Sequence, residues 1–223
     1  MRQDPLDPLP YTAEIPSLMG ASGRVDVHTL AAKFLSDSRL SGPYLEFGVG
    51  KGRSAVSALR AYSRERVCAD FVLCDSFQGL PPLEGPDVGS AQFNPGDYAF
   101  GQEQVAAFLH EHGADALGRV HFVPGWFGAH TADAVAQALA GQAPAVVHID
   151  VDLYESCRWA LLAATPWLRP GTVMLFDDWN CFNASNQLGE RRATAQWLEQ
   201  HPEFSLNEFT SYGWHGRAFI FDR

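Results

Sequence analysis

The residues of this 223-residue chain that could do chemistry gather where short apolar runs end. Tyr44-Leu45-Glu46-Phe47 leads into Gly48-Val49-Gly50-Lys51-Gly52-Arg53-Ser54, three glycines at alternate positions with an acid just before them. Glycine lets the backbone turn tightly and approach a ligand closely, and Ser54 suits the cap of a following helix. A second run, Phe71-Val72-Leu73-Cys74, ends at Asp75-Ser76-Phe77-Gln78-Gly79-Leu80-Pro81. A carboxylate at that place can accept both ribose hydroxyls of a nucleoside. Two later runs, 145–149 and 172–176, end in Asp150-Val151-Asp152 and Asp177-Asp178-Trp179. Carboxylates crowded together raise one another's pKa unless something balances them, and oxygen-only ligands favour a hard cation such as Mg²⁺. Asp150, Asp177 and Asp178 are the expected ligands. Asp152 is in reserve, since alternation along a strand lets it share a face with Asp150.

The glycine segment does not fit a dinucleotide. The fingerprint G-x-G-x-x-G places its last glycine at position 53, which is Arg53, and that glycine is needed for close helix–strand packing over a pyrophosphate. S-adenosyl-L-methionine (SAM) has no phosphate. It offers an ammonium and a sulfonium, which an acid near the loop balances. The expected SAM contacts are Glu46, Gly48, Gly50, Gly52, Ser54 and Asp75, with Ser76, Phe77 and Asp150 beside them.

These segments need a scaffold that brings strand ends together. Strand-like runs at 44–49, 71–74, 119–123, 145–149 and 172–176 alternate with helix-like stretches at 54–61, 103–109, 132–139, 156–164 and 190–199. Runs apolar on both faces, separated by helices, predict a mostly parallel sheet covered on both sides. Two last strands, near 204–209 and 217–221, flank Gly213-Trp214-His215-Gly216 and are too close for a helical crossover, so they predict an antiparallel hairpin. The expected fold is a single doubly wound, Rossmann-like α/β domain over residues 41–223. Its last strand is antiparallel, and ligands bind beyond the carboxyl ends of the strands. Residues 1–40 are expected to form an N-terminal arm, loose over the first ten, and a helical prelude from Tyr11 to Leu40.

Composition narrows the function classes. The chain is 46% hydrophobic and 19% charged, an ordinary globular balance. A net charge of −10 repels phosphate backbones, so nucleic acid is not an expected partner. No apolar run reaches membrane-spanning length and no signal peptide is apparent. The four cysteines lack C-x-x-C spacing, which points away from zinc and fits a reducing cytoplasm.

Taken together, the motifs resemble the macrocin O-methyltransferase family of class I SAM-dependent methyltransferases, which modify hydroxyls on sugars of natural products. The matching segments are Tyr44–Val49, Asp75–Pro81, Gly125-Trp126-Phe127, Ile149–Ser156 and Pro170-Gly171 through Phe176-Asp177-Asp178. The resemblance implies a seven-stranded sheet, SAM at the first two strand ends, Gly125, Trp126 and Phe127 near the adenine, and a divalent metal at the fourth and fifth strand ends. This chain departs from the family in reading Gly128-Ala129-His130-Thr131 after Gly-Trp-Phe and in having no histidine between Leu83 and Gln104, where the family's proposed base lies. The remaining candidates for a base are His215, at the rim on the ligand side, and His130. His148, inside a strand, reads as buried structure. The acceptor is expected to be a hydroxylated small molecule. A homo-oligomer using the N-terminal segment is compatible with the sequence. Rival readings are a metal-independent N- or carboxyl-methyltransferase, a nicotinamide oxidoreductase and a non-catalytic SAM-binding protein.

Overall fold

The computed structural model describes residues 12–15 and 23–223; the loose arm expected over the first ten residues lies outside them. Two short strands open the described chain, β1 (Thr12–Ile15) and β2 (Gly23–Asp26), paired antiparallel. The prelude is therefore helical only in part. Helix α1 spans Val27–Asp37 because Asp26 caps it, accepting from the amides of His28 and Thr29. A cap that satisfies the first free amides ends a helix there.

The main sheet contains β3 (Tyr44–Phe47), β4 (Asp70–Asp75), β5 (Arg119–Pro124), β6 (Val146–Ile149), β7 (Val173–Phe176), β8 (Ser205–Tyr212) and β9 (Gly216–Asp222). Their order is β5-β4-β3-β6-β7-β9-β8, seven strands as the motif resemblance implied. All ladders from β5 to β7 are parallel. The last strand, β9, runs antiparallel to both neighbours and lies between β7 and β8, not at the edge.

The helices are α2 (Arg53–Arg64), α3 (Gln102–Glu111), α4 (Thr131–Leu139), α5 (Tyr154–Ala164), the short turn α6 (Cys181–Ala184) and α7 (Gly189–Gln200). Strand alternation sorts the core into two layers. Tyr44, Phe71, Val146 and Leu175 pack with α1, α2 and α3 on one face, whereas Leu45, Phe47, Val147 and Phe176 pack with α4, α5 and α7 on the other. Helix α1 is thus built into the same core as residues 41–223. No helix among the described residues is long and apolar enough to cross a membrane. All four cysteines are buried and free.

Candidate active site

The loop after β3 is shaped by close approach. Gly48 has φ +81°, and a Cβ there would sit 1.6 Å from the carbonyl oxygen of Asp150, so only glycine lets the ends of β3 and β6 meet. Asp75, at the end of β4, stitches this loop to its own strand. Its Oδ2 accepts from the amides of Val49 (2.7 Å) and Gly50 (3.2 Å), and its Oδ1 from Phe77 (2.7 Å). Beneath the loop, the fully buried Glu46 accepts a hydrogen bond from Ser54, pinning β3 to the first turn of α2. Glu46 also lies 3.5 Å from His148, which is fully buried as expected and bonded to the Tyr44 hydroxyl. Burial alone would lower the His148 pKa, but the hydrogen bond and charge of Glu46 outweigh it and hold the imidazole above its ordinary value.

A cleft of about 910 Å³ opens over the strand ends. Of the expected SAM contacts, Gly48, Gly50, Asp75, Ser76, Trp126, Phe127 and Asp150 line it. Glu46 and Ser54 lie beneath it, bonded to one another. Gly52 is the N-cap of α2 and packs near Val105, Phe77 stacks edge-on against Phe122, and Gly125 backs onto His130. His130 is exposed beside Gly125 and Gly128, away from the cleft wall, and so does not join the other candidate groups.

The other half of the cleft is acidic. Asp150, Asp152, Asp177 and Asp178 all line it. Burial first, then the repulsion of neighbouring carboxylates, pushes Asp150 and Asp152 well above the ordinary carboxylate range, and the same causes act on Asp177. Asp178 is raised by burial and partly relieved by Cys181 and His215. Asp178 accepts from the amide of Asp152 (3.1 Å) and the thiol of Cys181 (3.2 Å). Asp152 itself has φ +60°, a left-handed conformation that side chains other than glycine rarely adopt.

His215 joins this cluster from the β8–β9 hairpin. Ligand atoms of Asp177, Asp178 and His215 all lie within 4.8 Å of one another. Two carboxylate oxygens that close to one another suit a divalent cation, with the imidazole at the edge of the group. The expected donor Asp150 lines the same cleft without falling inside that tight group.

Two further buried acids, Glu190 and Asp87, carry no signature in the sequence. Glu190 on α7 is 1% exposed and accepts the amide of Asp178 (3.0 Å). Asp87, from the segment between β4 and α3, is also 1% exposed. Neither follows a strand, so no spacing rule marks them. Aromatic side chains complete the rim. Trp214 is 70% exposed and Tyr98 57%, and both line the cleft. The Tyr98 hydroxyl is pushed up to about 12 by partial burial and by the charges of Asp152 and Asp178.

Comparisons with known proteins bear on this geometry. A family model described as "Methyltransferase domain" matches residues 45–179, more than half of the chain. The 8-demethyl-8-(2,3-dimethoxy-alpha-L-rhamnosyl)-tetracenomycin-C 4'-O-methyltransferase of Streptomyces olivaceus is 34% identical over 149 residues, 62% of this chain. The match spans only about half, 53%, of that relative's length. The O-methyltransferase NovP superposes with a TM-score of 0.65 at 21% identity, covering 88% of this chain and 78% of NovP. The calicheamicin methyltransferase CalS11 gives a TM-score of 0.67 at 21% identity, with coverages of 87% and 77%. At that identity the two structures speak for the fold alone.

Proposed function

The chain belongs to the methyltransferase domain family, and we propose that it is a SAM-dependent O-methyltransferase, assisted by a divalent cation, that acts in the cytoplasm on a hydroxyl of a sugar or other natural-product small molecule. One observation carries this reading. A glycine loop tied to Asp75 shares a single cleft with the Asp177, Asp178 and His215 cluster. The rhamnosyl substrate named for the Streptomyces olivaceus relative supports a sugar hydroxyl as acceptor.

Methyl transfer from a sulfonium needs little activation of the electrophile. The chain's work is to align the acceptor oxygen with the methyl carbon and to remove its proton. Asp75 and the Gly48–Gly50 turn hold the nucleoside end. The aromatic rim and the acid cluster hold the acceptor. Asp177 and Asp178, with Asp150 adjoining, are the residues that would hold Mg²⁺ or a similar ion, which leaves the His215 imidazole free to accept a proton. Such an ion supplies Lewis-acid lowering of a bound hydroxyl's pKa. As the acceptor oxygen takes the methyl group, the C–S bond breaks and S-adenosylhomocysteine (SAH) leaves neutral. His215 takes the acceptor proton, a role worth about 10²–10⁴-fold.

Calorimetric titration with SAH, with and without Mg²⁺, on the wild type and on Asp75→Ala tests the cofactor. Binding that the substitution abolishes, followed by turnover in a screen of hydroxylated sugars and glycosides, supports the reading. A wild type that binds no SAH overturns it.

A further inference from the structure

Helices α5 and α7 carry no caps of their own. Leu153 and Leu188 occupy their N-cap positions with extended backbone and no capping side chain. Exposed first-turn amides of a buried helix need partners. One distant carboxylate serves both. Asp87 Oδ2 accepts the amide of Tyr154, the first residue of α5, at 2.6 Å, and Oδ1 accepts the amide of Gly189, the first residue of α7, at 3.0 Å. The positive ends of two helix dipoles thus meet on one buried carboxyl group.

The two helix starts adjoin the acids. Residues 150–152 lead directly into α5, and Glu190, next to Gly189, holds the Asp178 amide. The segment carrying Asp87 is fastened at a second point, where Phe93 packs edge-on against Phe182 and Gln92 accepts the Phe182 amide at 2.5 Å. No bond of Asp87 reaches the β3 or β4 ends that line the nucleoside half of the cleft.

We propose that Asp87 is a positioning residue for methyl transfer, a clamp that fixes the 79–101 segment and both acid-bearing loops to one another while leaving the SAM half independent. The catalytic consequence rests on the methyltransferase reading above; the clamp itself does not.

Hydrogen exchange read by mass spectrometry, with SAH calorimetry, on the wild type, Asp87→Ala and Asp87→Asn tests it. In Asp87→Ala, exchange rises together at the starts of α5 and α7 and across 79–101, by roughly ten-fold, as loss of a cap predicts. Residues 44–60 keep wild-type protection, and SAH affinity stays within about two-fold. Asp87→Asn keeps one acceptor oxygen, so one helix start stays protected and the other opens; this variant carries the test if the alanine protein does not fold. With a glycoside found in the acceptor screen, the acceptor KM rises in Asp87→Ala while the KM for SAM does not. Opening of 79–101 without the helix starts overturns the clamp, as does an SAH affinity that falls in step with the exchange, or an asparagine variant indistinguishable from the wild type. A wild type that binds SAH but methylates no glycoside overturns the acceptor reading, while the exchange result still decides the clamp.

Discussion

The imidazole of His215 donates from Nδ1 to the backbone carbonyl of Asp177 at 2.5 Å, across 38 residues of sequence. The same hairpin tip is tied twice more, with the Asn180 amide on the His215 carbonyl (2.9 Å) and the Asn180 side chain on the Trp214 carbonyl (3.0 Å). A donor at Nδ1 fixes the tautomer and leaves the lone pair on Nε2.

That tautomer gives the first prediction. His215→Ala lowers kcat by about 10²–10⁴-fold, with SAH affinity unchanged by calorimetry. A variant that retains wild-type turnover removes His215 from the chemistry and leaves the acid cluster to act alone.

The acid cluster should oppose stability when no cation is present. Replacing Asp177 with Asn removes one charge from a group of buried, mutually repelling carboxylates. In EDTA its Tm should rise by about 2–4 °C, the shift for about 1 kcal/mol in a chain of this size. Millimolar Mg²⁺ should raise the wild-type Tm and leave the variant unmoved. Equal responses to Mg²⁺ in both proteins would refute the site.

Gly48→Ala places a methyl group against the Asp150 carbonyl at a left-handed φ. Left-handed backbone alone costs about 1–2 kcal/mol for a residue with a Cβ. The clash must also part β3 from β6. Both denaturant midpoint and SAH binding should fall. Gly50→Ala, where a Cβ meets nothing among the described residues within 4 Å, shares only the backbone term and should fall less.

At the opposite end of the sheet, Asp70 gives a pH dependence free of the site. Arg119 holds it with two bonds of 2.7 and 2.6 Å and His121 adds a third at 3.0 Å. The Arg119 hydrogen bond is the main cause that holds the carboxyl below its ordinary value of 3.8, against its partial burial. A depressed carboxylate contributes stability above its unfolded pKa and loses it as pH falls through the folded one. Denaturation curves of wild type and Asp70→Asn should therefore converge below about pH 4 and separate above it. Parallel curves across that range would show that the ion pair contributes nothing.

Much of this protein was legible in its residues because strand ends are local features. Apolar runs that end in glycine or aspartate placed Gly48, Asp75, Asp150, Asp177 and Asp178 at the carboxyl edge of a parallel sheet, where the structure has them. The same local patterns gave the alternation of strands and helices and the hairpin that carries His215. Other features depended on which distant segments meet. Alternation turned Glu46 to the α2 side, so it bonds Ser54 beneath the loop. His130 fell outside the cleft, at the N-cap of α4, where its ring lies against Gly125 and Gly128. Asp26, as the N-cap, starts α1 well after the Tyr11 beginning expected for the helical prelude. Asp87 and Glu190 gained their partners only when a loop, two helix starts and a strand end came together. A hydrogen bond is specified by the geometry of both partners, and sequence spacing carries that geometry only within a single turn or strand; across 67 and 102 residues, the separations between Asp87 and the two amides it caps, only the packed fold does.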